Sequence, residues 1–285
     1  MTKHRALKAR LCAGLAAALS LSLSLAPVCA GAAEDGQPAA SFFAAQGCAI
    51  GPSTIAAAIT QGISPADIEA YSQKVQDHPQ TVKTGDWLVI APELCEIRPP
   101  SVTSEIRLSD PEVTQNLSAI DAYAEEGAPG CYIDSSGLQN ALMVSRRWDR
   151  EKVTLEYLRF LSASLVSGEL TFYSTSNLRT PPGFAVTSGQ CGGIPQMPEI
   201  RRSHDLLIQH FGALIRADAA GEATCDGGGV PSWKFEDVSR KVMGEAAPNA
   251  WLGIEIRFIA MGAGWYEGTT AQSKGEPRPP LCRYE

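Results

Sequence analysis

Three acidic residues lie in sequence contexts where acid–base chemistry is feasible. Glu255 lies in "WLGIEIRFIA", Glu267 in "GWYEG" and Asp226 in "CDGGG". A pair of carboxylates can act as general acid and base, or can cleave a glycosidic bond. Aromatic residues beside Glu267 in a glycine-rich loop are typical of sugar-contacting surfaces. The simpler interpretations are a turn with a half-buried Trp around Glu267, and a solvent-facing ion pair between Glu255 and Arg257.

The histidines and serines give little support to nucleophilic or metal chemistry. His78, His204 and His210 follow the N-terminal segment, and no serine lies in a Gly-x-Ser-x-Gly sequence. Nucleophilic hydrolysis needs a base beside Ser or Cys. On one helix, the side chains of His204 and His210 would point about 240° apart, so they cannot bind one metal ion together. We expect His204 at the surface and His210 packed against the core. The sequence predicts neither a metal site nor a cofactor.

The first thirty residues are predicted to be a signal peptide. Four basic residues lie within the first ten, and the apolar stretch "LCAGLAAALSLSLSLAP" follows. Small residues then favour cleavage after Ala30 or Ala33. A transmembrane anchor or a lipid attached to Cys29 are the alternatives. We expect a periplasmic or secreted protein whose mature chain has no transmembrane anchor.

The charge of the exported chain excludes some partners. Residues 1–30 contain four of the 24 Lys and Arg and none of the 31 Asp and Glu, which leaves 20 basic against 31 acidic residues and a net charge of −11. An acidic chain without a basic run lacks the electrostatic surface that a phosphate backbone requires. Nucleic acid and anionic membrane surfaces are therefore not expected as partners.

Six cysteines follow the predicted signal peptide, and none of them forms a Cys-x-x-Cys pair. An even number in an oxidising compartment predicts three disulfides, whereas six inert buried thiols are the alternative. Sequence alone does not choose among the connectivities. If neighbours along the chain pair, the bonds are Cys48–Cys95, Cys131–Cys191 and Cys225–Cys282.

The N-terminal half of the chain divides into short segments. Residues 31–46 are small and polar and predict a flexible lead-in. In residues 47–97, "GPSTIAAAITQG" and "ISPADIEAYSQKV" have helical periodicity, the second with Ser64 as its N-cap, and "TVKTGDWLVIAP" predicts one strand over 81–92. Residues 98–102 ("RPPSV") predict a proline-rich linker between two domains.

Residues 103–285 predict a larger α+β domain of mixed helices and antiparallel strands. The expected helices run from 109 to about 125, where Ser109 and Glu112 can close a capping box, and over 134–147, 150–166, 200–217 and "WKFEDVSRKVMG", which Ser232 can cap. The expected strands are the segment around "CYID", then "ELTFYST" and "WLGIEIRFIA", whose apolar residues alternate. The tail "GEPRPPLCRYE" predicts irregular structure.

Residues 48–92 resemble a LysM domain, the β-α-α-β module that binds polymers of N-acetylglucosamine such as peptidoglycan. The resemblance lies in "CAIGPSTIAAAITQG", "ISPADIEAYSQKV" and the closing "TVKTGDWLVIAP". It implies that the strand around Cys48 pairs antiparallel with the closing strand, which favours a Cys48–Cys95 bond. It also implies a sugar groove between two loops, whose matching residues are Gly51, Ser53 and Thr54 on one side and Asp77 and His78 on the other.

Three functional hypotheses follow. The leading one is an exported, disulfide-bonded cell-envelope protein without catalytic activity that associates with peptidoglycan. The second is a periplasmic glycan hydrolase that uses Glu267 or Glu255 as its acid or base. The third is a structural factor that binds a protein partner.

Overall fold

Helices dominate the described part of the chain, where they are accompanied by three small antiparallel sheets. The computed structural model describes residues 37–118, 130–219, 225, 238–244 and 247–282. The helices are α1 (Gln37–Ala44), α2 (Pro52–Thr60), α3 (Pro65–Gln76), α4 (Pro111–Gln115), α5 (Ser135–Ser145), α6 (Arg150–Ser167), α7 (Met197–Ala219), α8 (Val238–Met243) and α9 (Leu252–Gly262). The strands are β1 (Ala49–Ile50), β2 (Val82–Thr84), β3 (Trp87–Val89), β4 (Leu117–Ser118), β5 (Tyr132–Ile133), β6 (Leu170–Thr171), β7 (Ala185–Val186), β8 (Tyr266–Glu267) and β9 (Glu276–Pro277). The predicted α+β class is confirmed.

The lead-in expected over residues 31–46 is helical from residue 37 onward. Phe43 in α1 is fully buried, and its ring stacks on Tyr71 of α3 with ring centroids 5.9 Å apart. Phe42 is also buried. Burial of these aromatic side chains outweighs the small, polar composition on which the expectation rested, because each large aromatic buries much apolar area.

The N-terminal sheet contains the expected antiparallel pair and one additional strand. β1 pairs with β3 in the register Ala49 opposite Val89, and β2 pairs with the other edge of β3. The single strand expected over 81–92 is therefore a hairpin. Gly85 has φ +52° between β2 and β3, and this left-handed conformation, which glycine adopts readily, makes the tight turn.

The two helices of this unit begin as the sequence indicates. Pro52 is the first residue of α2, and Ser64 caps α3 by accepting a hydrogen bond from the Asp67 N–H over 3.1 Å. Proline fits the first helical position because its missing N–H would have no intrahelical partner.

The segment "WLGIEIRFIA" forms helix α9 and not the predicted strand. Its buried residues Leu252, Ile256, Ile259 and Ala260 are spaced i, i+4, i+7 and i+8, which is the period of a helix face. The same apolar residues also satisfy an alternating pattern over a few positions. Packing of α9 against α6 and α7 decides between the two.

The helix expected from residue 109 to about 125 is shorter than predicted. α4 ends at Gln115, β4 follows at once, and residues 119–129 lie outside the described residues. Asp110 is the N-cap of α4. The expected capping box between Ser109 and Glu112 is wrong, because the Glu112 carboxylate instead accepts hydrogen bonds from Ser145 and Arg146.

The central part of the chain follows the remaining predictions closely. α5, α6 and α7 occupy the segments where helices were expected, and β6 lies within "ELTFYST". β4, β5, β7 and β6 form a four-stranded antiparallel sheet in that order. Residues 226–237, which include the expected cap Ser232, lie outside the described residues. Of the helix expected in "WKFEDVSRKVMG", α8 is described from Val238 onward.

Residues 98–102 do not separate two domains. Glu34–Glu285 form one compact unit. One continuous apolar core contains Ile50 and Val75 from the N-terminal unit and Leu161 and Leu214 from the later helices. Gly212 of α7 lies against the Ile97 carbonyl, 2.9 Å from the position that a Cβ would take.

Three disulfides join cysteines that are neighbours along the chain. They are Cys48–Cys95, Cys131–Cys191 and Cys225–Cys282, with Cα–Cα separations of 5.8, 5.8 and 5.1 Å. Such bonds are typical of exported proteins that mature in an oxidising compartment. In the ranges given above, no helix is both long and apolar enough to cross a bilayer.

Candidate functional site

A cleft of ≈ 1030 Å³ separates the start of α2 from the end of α9 and the β8 strand. Ser53 and Thr54 line one wall, and Tyr266 and Glu267 line the other. Arg278, which follows β9, also lines this cleft. The cleft therefore brings two of the predicted glycan-binding residues together with one of the predicted carboxylates.

The wall formed by α2 is held by Thr54. Its Oγ1 accepts a hydrogen bond from the Gly51 N–H over 2.9 Å and lies 3.1 Å from both the Ala49 and Gly51 carbonyl oxygens, either of which can accept its one proton. Thr54 is only 1% exposed. Its hydroxyl therefore fixes the start of α2, whereas the neighbouring Ser53 is exposed in the cleft.

The other predicted glycan-binding residues do not line this cleft. Gly51 is buried beneath the Trp87 ring, which leaves no room for a Cβ. Asp77 is exposed at the end of α3, and His78 Nδ1 accepts a hydrogen bond from the Gln80 N–H over 3.3 Å. The structure thus does not bring the two sides of the expected groove into one cavity.

Arg278 is a charged residue buried beside the cleft. It is 3% exposed and lies over two indole rings, with its Cζ 5.5 Å from the Trp87 centroid and 5.4 Å from the Trp265 centroid. This arrangement gives a cation–π interaction with each of the two rings.

The guanidinium of Arg278 donates three hydrogen bonds. Nη1 donates to the Gln46 carbonyl over 2.9 Å and to the Pro279 carbonyl over 2.8 Å, and Nη2 donates to Gln46 Oε1 over 2.8 Å. Burial lowers the pKa of Arg278 to about 9, and the nearby Glu267 carboxylate acts in the opposite direction.

The segment "GWYEG" differs from its simple interpretation. Trp265 is fully buried and not half-buried, and it packs edge-on against Phe211 with centroids 6.2 Å apart. Tyr266 is half-buried and Glu267 is exposed. The buried Trp fixes the start of β8, so that Glu267 faces the cleft from a defined strand.

Glu255 lies apart from Glu267, buried in α9. It is 3% exposed, and its Oε1 accepts hydrogen bonds from the Phe172 N–H over 2.6 Å and from Thr171 Oγ1 over 2.9 Å. Burial raises the pKa of Glu255 to about 7, although both hydrogen bonds act to lower it. Glu255 does not line the cleft.

The expected ion pair between Glu255 and Arg257 is wrong, because the helical geometry of α9 points the two side chains differently. Arg257 instead forms a bidentate pair with Asp218 of α7, at 2.9 Å and 2.7 Å. Asp226, the third candidate carboxylate, lies outside the described residues.

The histidines on α7 also differ in part from expectation. His204 Nε2 lies 3.0 Å from the Val166 carbonyl oxygen, and its ring packs against Gly168, so it is not a free surface residue. His210 is half-buried. Among the residues that the structure describes, no group of three or more His, Cys, Asp or Glu could hold a metal ion.

Comparison of the chain with protein-family models, with curated proteins and with solved structures gives no match. The LysM resemblance of residues 48–92 therefore stays a prediction.

Proposed function

We propose that this protein is an exported, non-catalytic component of the cell envelope that binds a peptidoglycan-type glycan in the cleft between α2 and β8. The observation that carries the proposal is the cleft itself, which places Ser53 of the LysM-like segment opposite Tyr266 and Thr269. Hydroxyl, amide and aromatic groups around a concave surface are the chemistry that an N-acetylated sugar requires. The three disulfides support export to an oxidising compartment.

The proposal is tested by sedimentation of residues 31–285 with purified peptidoglycan. The wild-type protein should pellet with it. A Ser53→Trp variant should remain in the supernatant, because the indole would fill the cleft from its exposed rim. Retention of Ser53→Trp in the pellet, or a wild-type protein that does not pellet, would contradict the proposal.

Ser136→Trp is the matched control for this experiment. Ser136, like Ser53, is an exposed serine at the second position of a helix, but it lies on α5 and does not line the cleft. It should pellet as the wild type does. This comparison separates the effect of blocking the cleft from any destabilisation that a Trp causes at the second position of a helix.

Glycan hydrolysis stays an alternative proposal because Glu267 is exposed in the cleft. Hydrolysis normally uses two carboxylates, and Glu267 is the one carboxylate among the described residues that line this cleft. Release of reducing ends from peptidoglycan by the wild type, abolished in Glu267→Gln, would favour the hydrolase over the binding protein.

A further inference from the structure

Arg278 lacks an anionic partner among the described residues. None of their carboxylates lies within 4.0 Å of its guanidinium, and its three hydrogen bonds all go to neutral oxygens of Gln46 and Pro279. Glu267 acts on it through space without forming an ion pair. A charge that is 3% exposed and without a counter-ion is unfavourable, because neutral acceptors and aromatic faces only partly replace its hydration.

The guanidinium has spare donor capacity. Arginine carries five N–H groups, and the hydrogen bonds of Arg278 originate from Nη1 and Nη2 only. The Nε–H and the second Nη2–H donate to no acceptor among the described residues, and Arg278 lines the cleft. A carboxylate matches this planar fork better than a hydroxyl or an amide does.

A second feature of the same cleft also favours negative charge. α2 begins at the cleft wall and is nine residues long, and at its N-terminus the Thr54 side chain accepts a hydrogen bond from the Gly51 N–H. The N–H groups of a first helical turn and the helix dipole together attract anions. Arg159, on the cleft rim, adds a positive charge that is shared with Glu156, at 2.6 Å.

Glu267 opposes an anion in the cleft, but only weakly. It is exposed, so water screens its charge. Arg278 is buried, so its interaction with a ligand is screened much less. Among the charged residues that line the cleft, Arg278 is therefore the one that water screens least from a bound ligand.

We infer that the cleft selects a glycan that carries carboxylate groups over a neutral one, with Arg278 and the start of α2 as the groups that receive the carboxylate. This inference rests on the proposed function and specifies its ligand. It differs from binding of neutral N-acetylglucosamine polymers, which the LysM resemblance implies.

The test varies the ligand and leaves the protein intact. Binding of residues 31–285 is measured by calorimetry against the disaccharide of N-acetylglucosamine and N-acetylmuramic acid, and against the same disaccharide with its carboxylate amidated. The acid should bind roughly tenfold or more tightly, as expected for a charge-assisted hydrogen bond to a buried guanidinium. Equal affinity would overturn this inference and leave the proposed function standing. Absence of binding by both would overturn the proposed function and, with it, the inference.

Two variants localise the preference. Arg278→Gln should bind the acid and the amide with equal affinity, whereas Arg201→Gln, at an exposed position of α7 away from the cleft, should keep the wild-type ratio. A retained preference in a folded Arg278→Gln protein would overturn the assignment to Arg278. If Arg278→Gln does not fold, the comparison of the two ligands on the wild type still decides whether charge is recognised.

Discussion

Gly262, the last residue of α9, lies directly against the backbone carbonyl of Leu158 in α6. A Cβ at Gly262 would collide with this oxygen and with the Cβ of Ser162. The same Ser162 donates a hydrogen bond from its Oγ to the carbonyl of Ile259, one turn before Gly262 in α9, over 2.8 Å. The two helices that form the centre of the core therefore approach each other at backbone distance, and α9 in turn carries the chain to β8 at the cleft.

The first prediction is that Gly262→Ala destabilises the protein by at least about 2 kcal/mol. The added methyl group cannot be accommodated unless α6 and α9 move apart, and overpacking of this kind is costly. The free energy of unfolding is measured by denaturant titration with the disulfides intact.

Gly253→Ala is the control, because Gly253 lies on the same helix and its nearest neighbour, Val238 Cγ2, is 3.6 Å from the Cβ position. There the methyl group fits, and the better helix propensity of alanine should leave stability unchanged or slightly higher. Equal unfolding midpoints for the two variants would contradict the close approach of α6 and α9.

The second prediction concerns Glu255 and pH. Its pKa in the folded protein is raised from 4.5 to about 7, so between these values the folded state keeps a proton that the unfolded state releases. The resulting stabilisation is fully present below pH 4.5 and is lost as pH rises through 7. The free energy of unfolding should fall by roughly 2–3 kcal/mol from this residue between pH 4.5 and pH 8.

Glu255→Gln removes this titration and keeps an acceptor for the Phe172 N–H. The difference in unfolding free energy between wild type and variant should therefore change with pH across that window, while contributions from the other titrating groups cancel. A difference that stays constant from pH 4.5 to pH 8 would show that Glu255 does not titrate there.

The third prediction concerns the ion pairs that join α4 to the end of α5. Arg146 Nη2 lies 2.6 Å from Asp110 Oδ2 and 3.3 Å from Glu112 Oε2. Hydrogen bonds from Arg146 and Ser145 lower the pKa of Glu112 to about 2. The stabilisation is present above the ordinary pKa of 4.5 and is lost as pH falls through about 2.

Arg146→Gln should therefore reduce stability by about 1 kcal/mol at pH 7, since partial exposure screens these charges. The loss should shrink as pH approaches 2. Lys152→Gln is the comparison, because its pair with Glu105 has side-chain exposures of 43% and 59% and should contribute little. An equal effect of both substitutions at pH 7 would contradict a specific contribution from Arg146.

Helices α2 and α3 were the most predictable part of the fold, because their signals are local. The cap at Ser64 and the apolar periodicity of α2 and α3 depend on residues within one or two turns, and the structure follows them. The segment that became α9 has apolar residues that fit both a strand and a helix. Its contacts with α6 and α7, which lie far apart from it in the sequence, decide the outcome.

The candidate site was predictable in part for the same reason. Ser53 and Thr54 belong to a local motif, and Glu267 lies directly beside its aromatic neighbours in the sequence. Arg278 was missed because its environment is assembled from distant segments: its partner Gln46 is 232 residues away along the chain. Nothing in "GEPRPPLC" indicates that this arginine is buried and lies over the rings of Trp87 and Trp265.

The last prediction compares two disulfides of similar loop length. Cys48–Cys95 and Cys131–Cys191 span sequence separations of 47 and 60 residues, and all four cysteines are buried. Loop entropy grows only with the logarithm of length. If loop entropy is the source of the stabilisation, removal of either bond lowers the free energy of unfolding by about 4 kcal/mol, and the two decreases agree within about 0.5 kcal/mol.

The double variants C48A/C95A and C131A/C191A test this by denaturant unfolding, since alanine leaves similarly small cavities at the four sites. Similar decreases in the free energy of unfolding would indicate that both bonds stabilise the protein by restricting the unfolded chain. A much larger loss for C48A/C95A would instead mean that this bond holds the native N-terminal sheet together, where the Ile90 N–H donates to the Cys48 carbonyl over 2.9 Å. Because β1 leads directly into α2, that outcome would also couple the Cys48–Cys95 bond to the wall of the cleft. The C48A/C95A variant should then no longer sediment with peptidoglycan, whereas the C131A/C191A variant should still do so.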